Sequence, residues 1–180
     1  MMVETKEKLT YEDYLKKAKE IGDLERVELI FGKFYMMAGA SAEHQDIEGS
    51  IFFSLKLNIK EKDSPCSPRI APYDVKLICE DEENVVQPDI MLFCKDEKKP
   101  CAVFEILSPS TSYKDKTVKK KLYECSGIKE YFLVDPKALT VDVFRLKDKG
   151  YEYEGCFGEE DLLKIECLDS EFVTSEFLTA

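Results

Sequence analysis

Two apolar, β-like runs in this chain are each interrupted by a single carboxylate. Asp89 lies within Val85-Val86-Gln87-Pro88-Asp89-Ile90-Met91-Leu92-Phe93, and Glu105 within Cys101-Ala102-Val103-Phe104-Glu105-Ile106-Leu107. An ionised carboxylate in a buried strand is costly unless something pairs with it. Any fold must therefore bury both runs and still bring a metal ion or a lysine to the two acids. Just downstream, Asp115-Lys116-Thr117-Val118-Lys119-Lys120-Lys121-Leu122-Tyr123 combines helical spacing with a lysine cluster. Two carboxylates on adjacent strands and a nearby lysine are the parts needed to hold Mg²⁺ and orient a water for phosphodiester cleavage. On the carboxylates alone, an edge-facing or salt-bridged role is the commoner explanation.

The 180 residues suffice for one domain, 1–180, and are too few for two ordinary ones. With 44% hydrophobic and 35% charged residues the composition is that of a soluble globular chain. The opening Met1-Met2-Val3-Glu4-Thr5-Lys6-Glu7-Lys8 has no apolar stretch, so no secretory signal is expected. No run approaches the roughly 18 apolar residues of a membrane helix. The seven cysteines are odd in number and scattered, without a Cys-x-x-Cys pair, so the sequence predicts neither a disulfide framework nor a zinc site. A reducing cytoplasm is the expected location. The net charge of −11 argues against nonspecific coating of nucleic acid but leaves room for a local site. Acid concentrates at 80–83 and 159–161, base at Lys114, Lys116, Lys119, Lys120 and Lys121, a separation that would let one face meet phosphate.

Thr10 and Asp13 form a capping pattern for a helix reaching Ile21. Runs 27–31 and 34–37 around Gly32 read as a hairpin. Ser41 can cap a helix extending to about Lys60, with Ile47, Ile51, Leu55 and Ile59 along one stripe. Strands are expected at 73–79, 86–93 and 102–107, then a helix from Asp115 to Cys125 stopped by Gly127, and strands at 130–134 and 140–146. Alternation places Val103, Glu105 and Leu107 on one face of their strand. The order predicts a mixed α/β sandwich with an N-terminal helix and hairpin.

Several motifs fall into one string: Pro88-Asp89; Glu105-Ile106-Leu107-Ser108-Pro109-Ser110-Thr111; and Asp115-x-x-x-Lys119-x-x-x-Tyr123-x-x-x-Gly127-x-x-Glu130-Tyr131. With Glu28-Leu29-Ile30-x-Gly32, His44 and Asp135-Pro136, this string closely resembles the Uma2 family of restriction endonucleases, in the PD-(D/E)XK nuclease superfamily. The resemblance spans roughly residues 10 to 147. It implies a restriction-endonuclease-like core, a central mixed sheet flanked by helices, in which Asp89 and Glu105 bind Mg²⁺ or Mn²⁺. Asp74 matches an acidic position of the family and is implied as a further ligand, with a carbonyl near Ile106 completing the shell. The superfamily's lysine normally stands two residues after the second acid, where this chain has Leu107. The resemblance implies a migrated lysine at Lys119; the alternative is a solvated lysine run. Tyr123, at i+4 from Lys119, either buttresses it or packs. His44 is either a core or capping histidine or, from the family position, a phosphate or metal contact. Glu28 resembles an acid that such cores contribute from their N-terminal segment.

The expected function is metal-dependent hydrolysis of DNA phosphodiester bonds by a cytoplasmic homodimer. The rival is a nuclease fold without catalysis, serving as a binding or accessory module. A metal-independent carboxylate-pair hydrolase acting on sugars is a third reading.

Overall fold

The structure, a computed structural model, describes residues 8–22, 25–95 and 98–178. Helix α1 (Tyr11–Ile21) opens with the expected capping box, Thr10 and Asp13 bonding each other's backbone N–H groups. Strands β1 (Arg26–Ile30) and β2 (Lys33–Met37) pair antiparallel. Their turn has positive φ at both Phe31 and Gly32, the conformation of tight hairpins that glycine adopts without strain. Helix α2 (Ala42–Glu61) starts at Ser41, whose side chain accepts the His44 N–H.

Strands β3 (Ser67–Ile70), β4 (Val75–Cys79), β5 (Glu82–Val86), β6 (Ile90–Phe93) and β7 (Ala102–Ile106) follow. A helical segment runs through α3 (Ser112–Lys114), a π turn (Asp115–Lys119) and α4 (Lys120–Cys125). It ends at Gly127, where the Ile128 N–H reaches the Tyr123 carbonyl. Strands β8 (Glu130–Asp135), β9 (Thr140–Lys147) and β10 (Gly150–Gly158) lead to a small pair, β11 (Leu162–Ile165) and β12 (Ser170–Val173), and to α5 (Ser175–Leu178).

The central sheet has the order β10-β9-β8-β7-β6-β3, antiparallel except for the parallel β7–β8 pair, so it is mixed as expected. A second sheet, β2-β1-β5-β4, was not expected as a separate layer. The run expected as one strand, 86–93, is divided between the two sheets, because Gln87-Pro88-Asp89 carries the chain from β5 to β6. Pro88 cannot donate to a ladder, which suits such a crossing. The acidic run at 80–83 is the β4–β5 turn plus the start of β5.

Alternation along the central strands separates two cores. Ile90, Leu92, Phe104, Phe132 and Val134 pack against α2, β11, β12 and α5. Met91, Phe93, Val103, Leu107, Tyr131 and Leu133 face Ile30, Val75, Leu77 and Val86 of the second sheet, together with Leu122 and Tyr123 of α4. Phe104 and Phe132 stack at 4.4 Å, and such pairs add about 0.5–1.5 kcal/mol beyond area burial. Glu28 and Glu105 have the parity of the second of these cores, so both point into the space between the two sheets.

Six of the seven cysteines are paired, contrary to expectation: Cys66–Cys94, Cys79–Cys125 and Cys101–Cys167, with Cys156 free and exposed. Partners lie 28, 46 and 66 residues apart, and the sheet brings them together. Local spacing carries no trace of such pairing. No helix among the described residues is long and apolar enough to cross a membrane.

Candidate active site

Strands β6 and β7 are antiparallel, so Asp89 at the start of β6 and Glu105 near the end of β7 meet at the same edge of the central sheet. The Ile106 N–H donates to Asp89 Oδ2 at 2.7 Å, which fixes the carboxylate and leaves Oδ1 facing His44 Nε2 at 3.2 Å. Both residues line a cavity of about 930 Å³ with Glu105, Asp115, Lys114 and Lys119. The loop from β2 to α2 and residues 108–111 form its rim.

Lys119 reaches back to the acids. Its Nζ donates to Glu105 Oε1 at 2.8 Å, and lies 3.0 Å from Glu28 Oε1 and 3.9 Å from Asp115 Oδ1. The residue is 2% exposed, so it is not part of a solvated lysine run. The π turn explains this: its i→i+5 bonds put one extra residue into the turn and under-wind the segment, turning Asp115 and Lys119 inward while Val118 is half-buried. Tyr131 Oη donates to the Asp115 carbonyl at 3.0 Å, supporting the turn from β8. Asp115 was expected to start the helix; it lies a turn inside it.

Tyr123 donates to Glu105 Oε1 at 2.5 Å, so it bonds the acid directly rather than only packing. Both hydrogen bonds to Glu105 thus fall on one oxygen, and none among the described residues reaches Oε2. Glu28, fully buried, accepts from Lys114 Nζ at 2.7 Å and from the Gln87 N–H at 3.0 Å. His44 is at the cavity wall rather than in the core. Leu107 occupies the second core, so the position usual for the lysine is apolar and the ammonium arrives from the helix.

Asp74 is not brought to this site. It precedes β4 in the other sheet, and its carboxylate accepts from Tyr14 Oη at 2.8 Å and Gln87 Nε2 at 2.7 Å, away from the cavity. The lysine cluster is not one phosphate-facing surface either. Lys114 and Lys119 turn to carboxylates, while Lys120 sits over the Phe144 ring and Lys121 over that of Phe31.

The charges do not balance. Burial raises Glu105 well above the usual carboxylate range against the pull of Lys119, and Asp89, Asp115 and Glu28 reinforce it. Burial likewise raises Asp115 and Glu48. Burial acts on Glu28 too, but Lys119 and Lys114 outweigh it and hold Glu28 low. Lys119 is desolvated yet held well above its ordinary value by Glu105, Glu28 and Asp115. Burial works against a charged His44, and Asp89 more than offsets it. Asp115 Oδ1 and Glu48 Oε1 are buried without a hydrogen-bond partner. Asp89, Glu105 and Asp115 bring carboxylate oxygens, the donors that hard divalent cations take, to one cavity, while no three acid or imidazole ligand atoms among the described residues lie within 4.8 Å of one another. Asp115 and Glu48 were missed in the sequence; the i,i+4 relation of Asp115 to Lys119 was the available signal for the first, and Glu48 had none.

The fold is shared with a crystal structure titled as that of a "putative nuclease belonging to DUF820" from Anabaena variabilis, with a TM-score of 0.74 at 19% identity over 95% of this chain and 98% of that one. Two Synechocystis relatives, the uncharacterized proteins slr1290 and sll1609, are 30% and 27% identical, covering 79% and 81% of this chain and 77% and 85% of their own lengths. The model of the Uma2 family, described as "Putative restriction endonuclease", matches residues 11–177. With that match running through both sheets and every side chain of the acid cluster, the chain belongs to the Uma2 family.

Proposed function

We propose that the chain is a divalent-metal-dependent endodeoxyribonuclease in which Asp89 and Glu105 hold Mg²⁺ or Mn²⁺. The observation that carries the reading is the unbalanced acid cluster: Glu105 raised by burial, Asp115 Oδ1 buried without a hydrogen-bond partner, and Asp89 pinned between the Ile106 N–H and His44 at the cavity wall. Asp115 is proposed as an additional oxygen donor or as an acceptor for a metal-bound water. When bound, the metal lowers the pKa of a water and stabilises charge on the phosphate. Glu28 holds Lys119 by ion pairing and keeps it protonated, so its ammonium can steady developing negative charge beside Glu105. Tyr123 orients Glu105 by its hydrogen bond. His44 orients Asp89 and, when protonated, adds a cation at the cavity wall. Cutting both strands calls for two such sites, so we also propose a cytoplasmic C₂ homodimer, the commonest assembly. A monomeric mass by light scattering would count against it.

The test is cleavage of supercoiled DNA with Mg²⁺ or Mn²⁺. Wild-type chain should nick it and EDTA should stop it, while Asp89→Ala and Glu105→Ala should be inactive with unchanged circular dichroism. Full activity in either variant would refute the assignment. A second reading, an inactive nuclease-fold module, is favoured by one feature: Lys119 and Tyr123 already occupy Glu105 Oε1. A properly folded chain that binds neither metal nor cuts DNA would support it, and EDTA-insensitive hydrolysis of sugars would point to the carboxylate-pair reading.

A further inference from the structure

The opposite end of the same two strands carries a second cluster of metal-ligating groups, built from sulfur. Cys94 follows β6 and Cys101 precedes β7, so both lie at the far edge of the sheet from Asp89 and Glu105. Cys66 immediately precedes β3, the neighbour of β6, and Cys167 lies in the 3₁₀ turn Glu166–Leu168 after β11. The sulfurs of Cys94, Cys101 and Cys167 are all within 4.8 Å of one another. Cys66 is bonded to Cys94, and its sulfur is 3.8 Å from the Cys167 carbonyl oxygen. Four cysteines from four separate segments thus converge on one half-buried spot.

We propose that in the reduced chain Cys66, Cys94, Cys101 and Cys167 together bind one structural Zn²⁺. Each of the two disulfides, Cys66–Cys94 and Cys101–Cys167, takes up two electrons and two protons from a thiol reductant, whose own thiols become a disulfide. The resulting four thiols release their protons as Zn²⁺ binds. Four thiolates close a tetrahedral site, with Zn–S near 2.3 Å and hence sulfur–sulfur edges of about 3.8 Å. The three sulfurs already lie within a spacing that side-chain rotation can adjust to that edge. An iron–sulfur cluster would hold its thiolates farther apart than this, so a single ion fits better. Soft sulfur also excludes the hard cation proposed for the carboxylate pocket. The ion would fasten β3, β6 and β7 to the C-terminal turn at Cys167, securing the end of the sheet opposite the cavity. Cys79 and Cys125 are a separate pair, and Cys156 stands alone.

The test is zinc content after purification with a phosphine reductant and without added metal. Wild type should carry about one zinc per chain, and replacement by Co²⁺ should give thiolate-to-metal charge-transfer absorption and tetrahedral visible bands. Cys101→Ser should lose the zinc; Cys156→Ser and Asp89→Ala should retain it, which separates this site from the carboxylate pocket. Should Cys101→Ser fail to fold, mercurial titration of the wild type serves instead, with one zinc released as the four ligand thiols, among the seven of the reduced chain, are modified. Absence of zinc with four freely reactive thiols, iron with sulfide instead of zinc, or zinc lost in Asp89→Ala and kept in Cys101→Ser would each overturn the proposal.

Discussion

The central sheet buries two carboxylate networks, and they differ in whether their bonds close. At Glu130 they do. Its oxygens accept from the Cys167 N–H at 2.8 Å and the Glu166 N–H at 2.9 Å and pair with Arg145, which also meets Glu154 and donates to the Lys164 carbonyl at 2.7 Å. Around Glu105 they do not: Asp115 Oδ1 has no hydrogen-bond partner, one oxygen of Glu105 is unbonded among the described residues, and a cavity opens onto both. A closed network holds strands in register. An open one has capacity left for a ligand, and a buried polar group is kept in that condition only at a cost to stability.

The largest expected effect separates the two networks outright. Asp89→Ala and Glu105→Ala should each reduce metal-dependent cleavage by about 10³ or more, whereas Glu130→Gln should leave cleavage per folded molecule unchanged and cost about 3 kcal/mol of stability. Plasmid nicking and urea melts on all three variants read both quantities. A catalytic defect in folded Glu130→Gln would break the comparison.

Lys119→Met should lower cleavage by about 10². An exposed stem would have made the change neutral for stability, but Lys119 is buried between Glu105 and Glu28. Removing it strands two acids, so a loss on the order of 3 kcal/mol is expected in the same melts. A variant as stable as wild type would show that the acids are already protonated.

Much of this was legible in the chain. Alternation in 102–107 put Glu105 on the face that the structure gives it, and Ser41, Gly32 and Gly127 marked boundaries that hold. The family resemblance, with Leu107 at the usual lysine position, is what implied Lys119. What escaped depends on long-range geometry. Nothing local in Val86 to Phe93 says that two sheets share it, the π turn has no sequence signature, and Asp74 looked like a ligand until the chain path placed it beside Tyr14. Glu130 and Glu105 look alike in sequence, each an acid beside an apolar strand run; only the partners distinguish them.

A subtler effect concerns protons. Burial, aided by Asp89, Asp115 and Glu28, raises Glu105 above its unfolded value of 4.5 despite Lys119. The folded chain then holds that proton more tightly, so stability is greatest below the unfolded pKa and falls as pH rises toward the folded one. In EDTA-treated chain, Glu105→Gln should flatten this fall. Parallel stability–pH curves would contradict it. The smallest effect is Lys120→Met, which loses the contact 3.8 Å above the Phe144 ring and should cost about 0.5–1 kcal/mol without touching catalysis.

Calorimetric titration with Mn²⁺ tests the central claim most directly, because an open acid network should take up a hard cation and a closed one should not. Wild type and Glu130→Gln should each bind about one ion per chain, and Asp89→Ala and Glu105→Ala should bind none. Absence of binding to folded wild type, or undiminished binding to folded Asp89→Ala, would contradict the account.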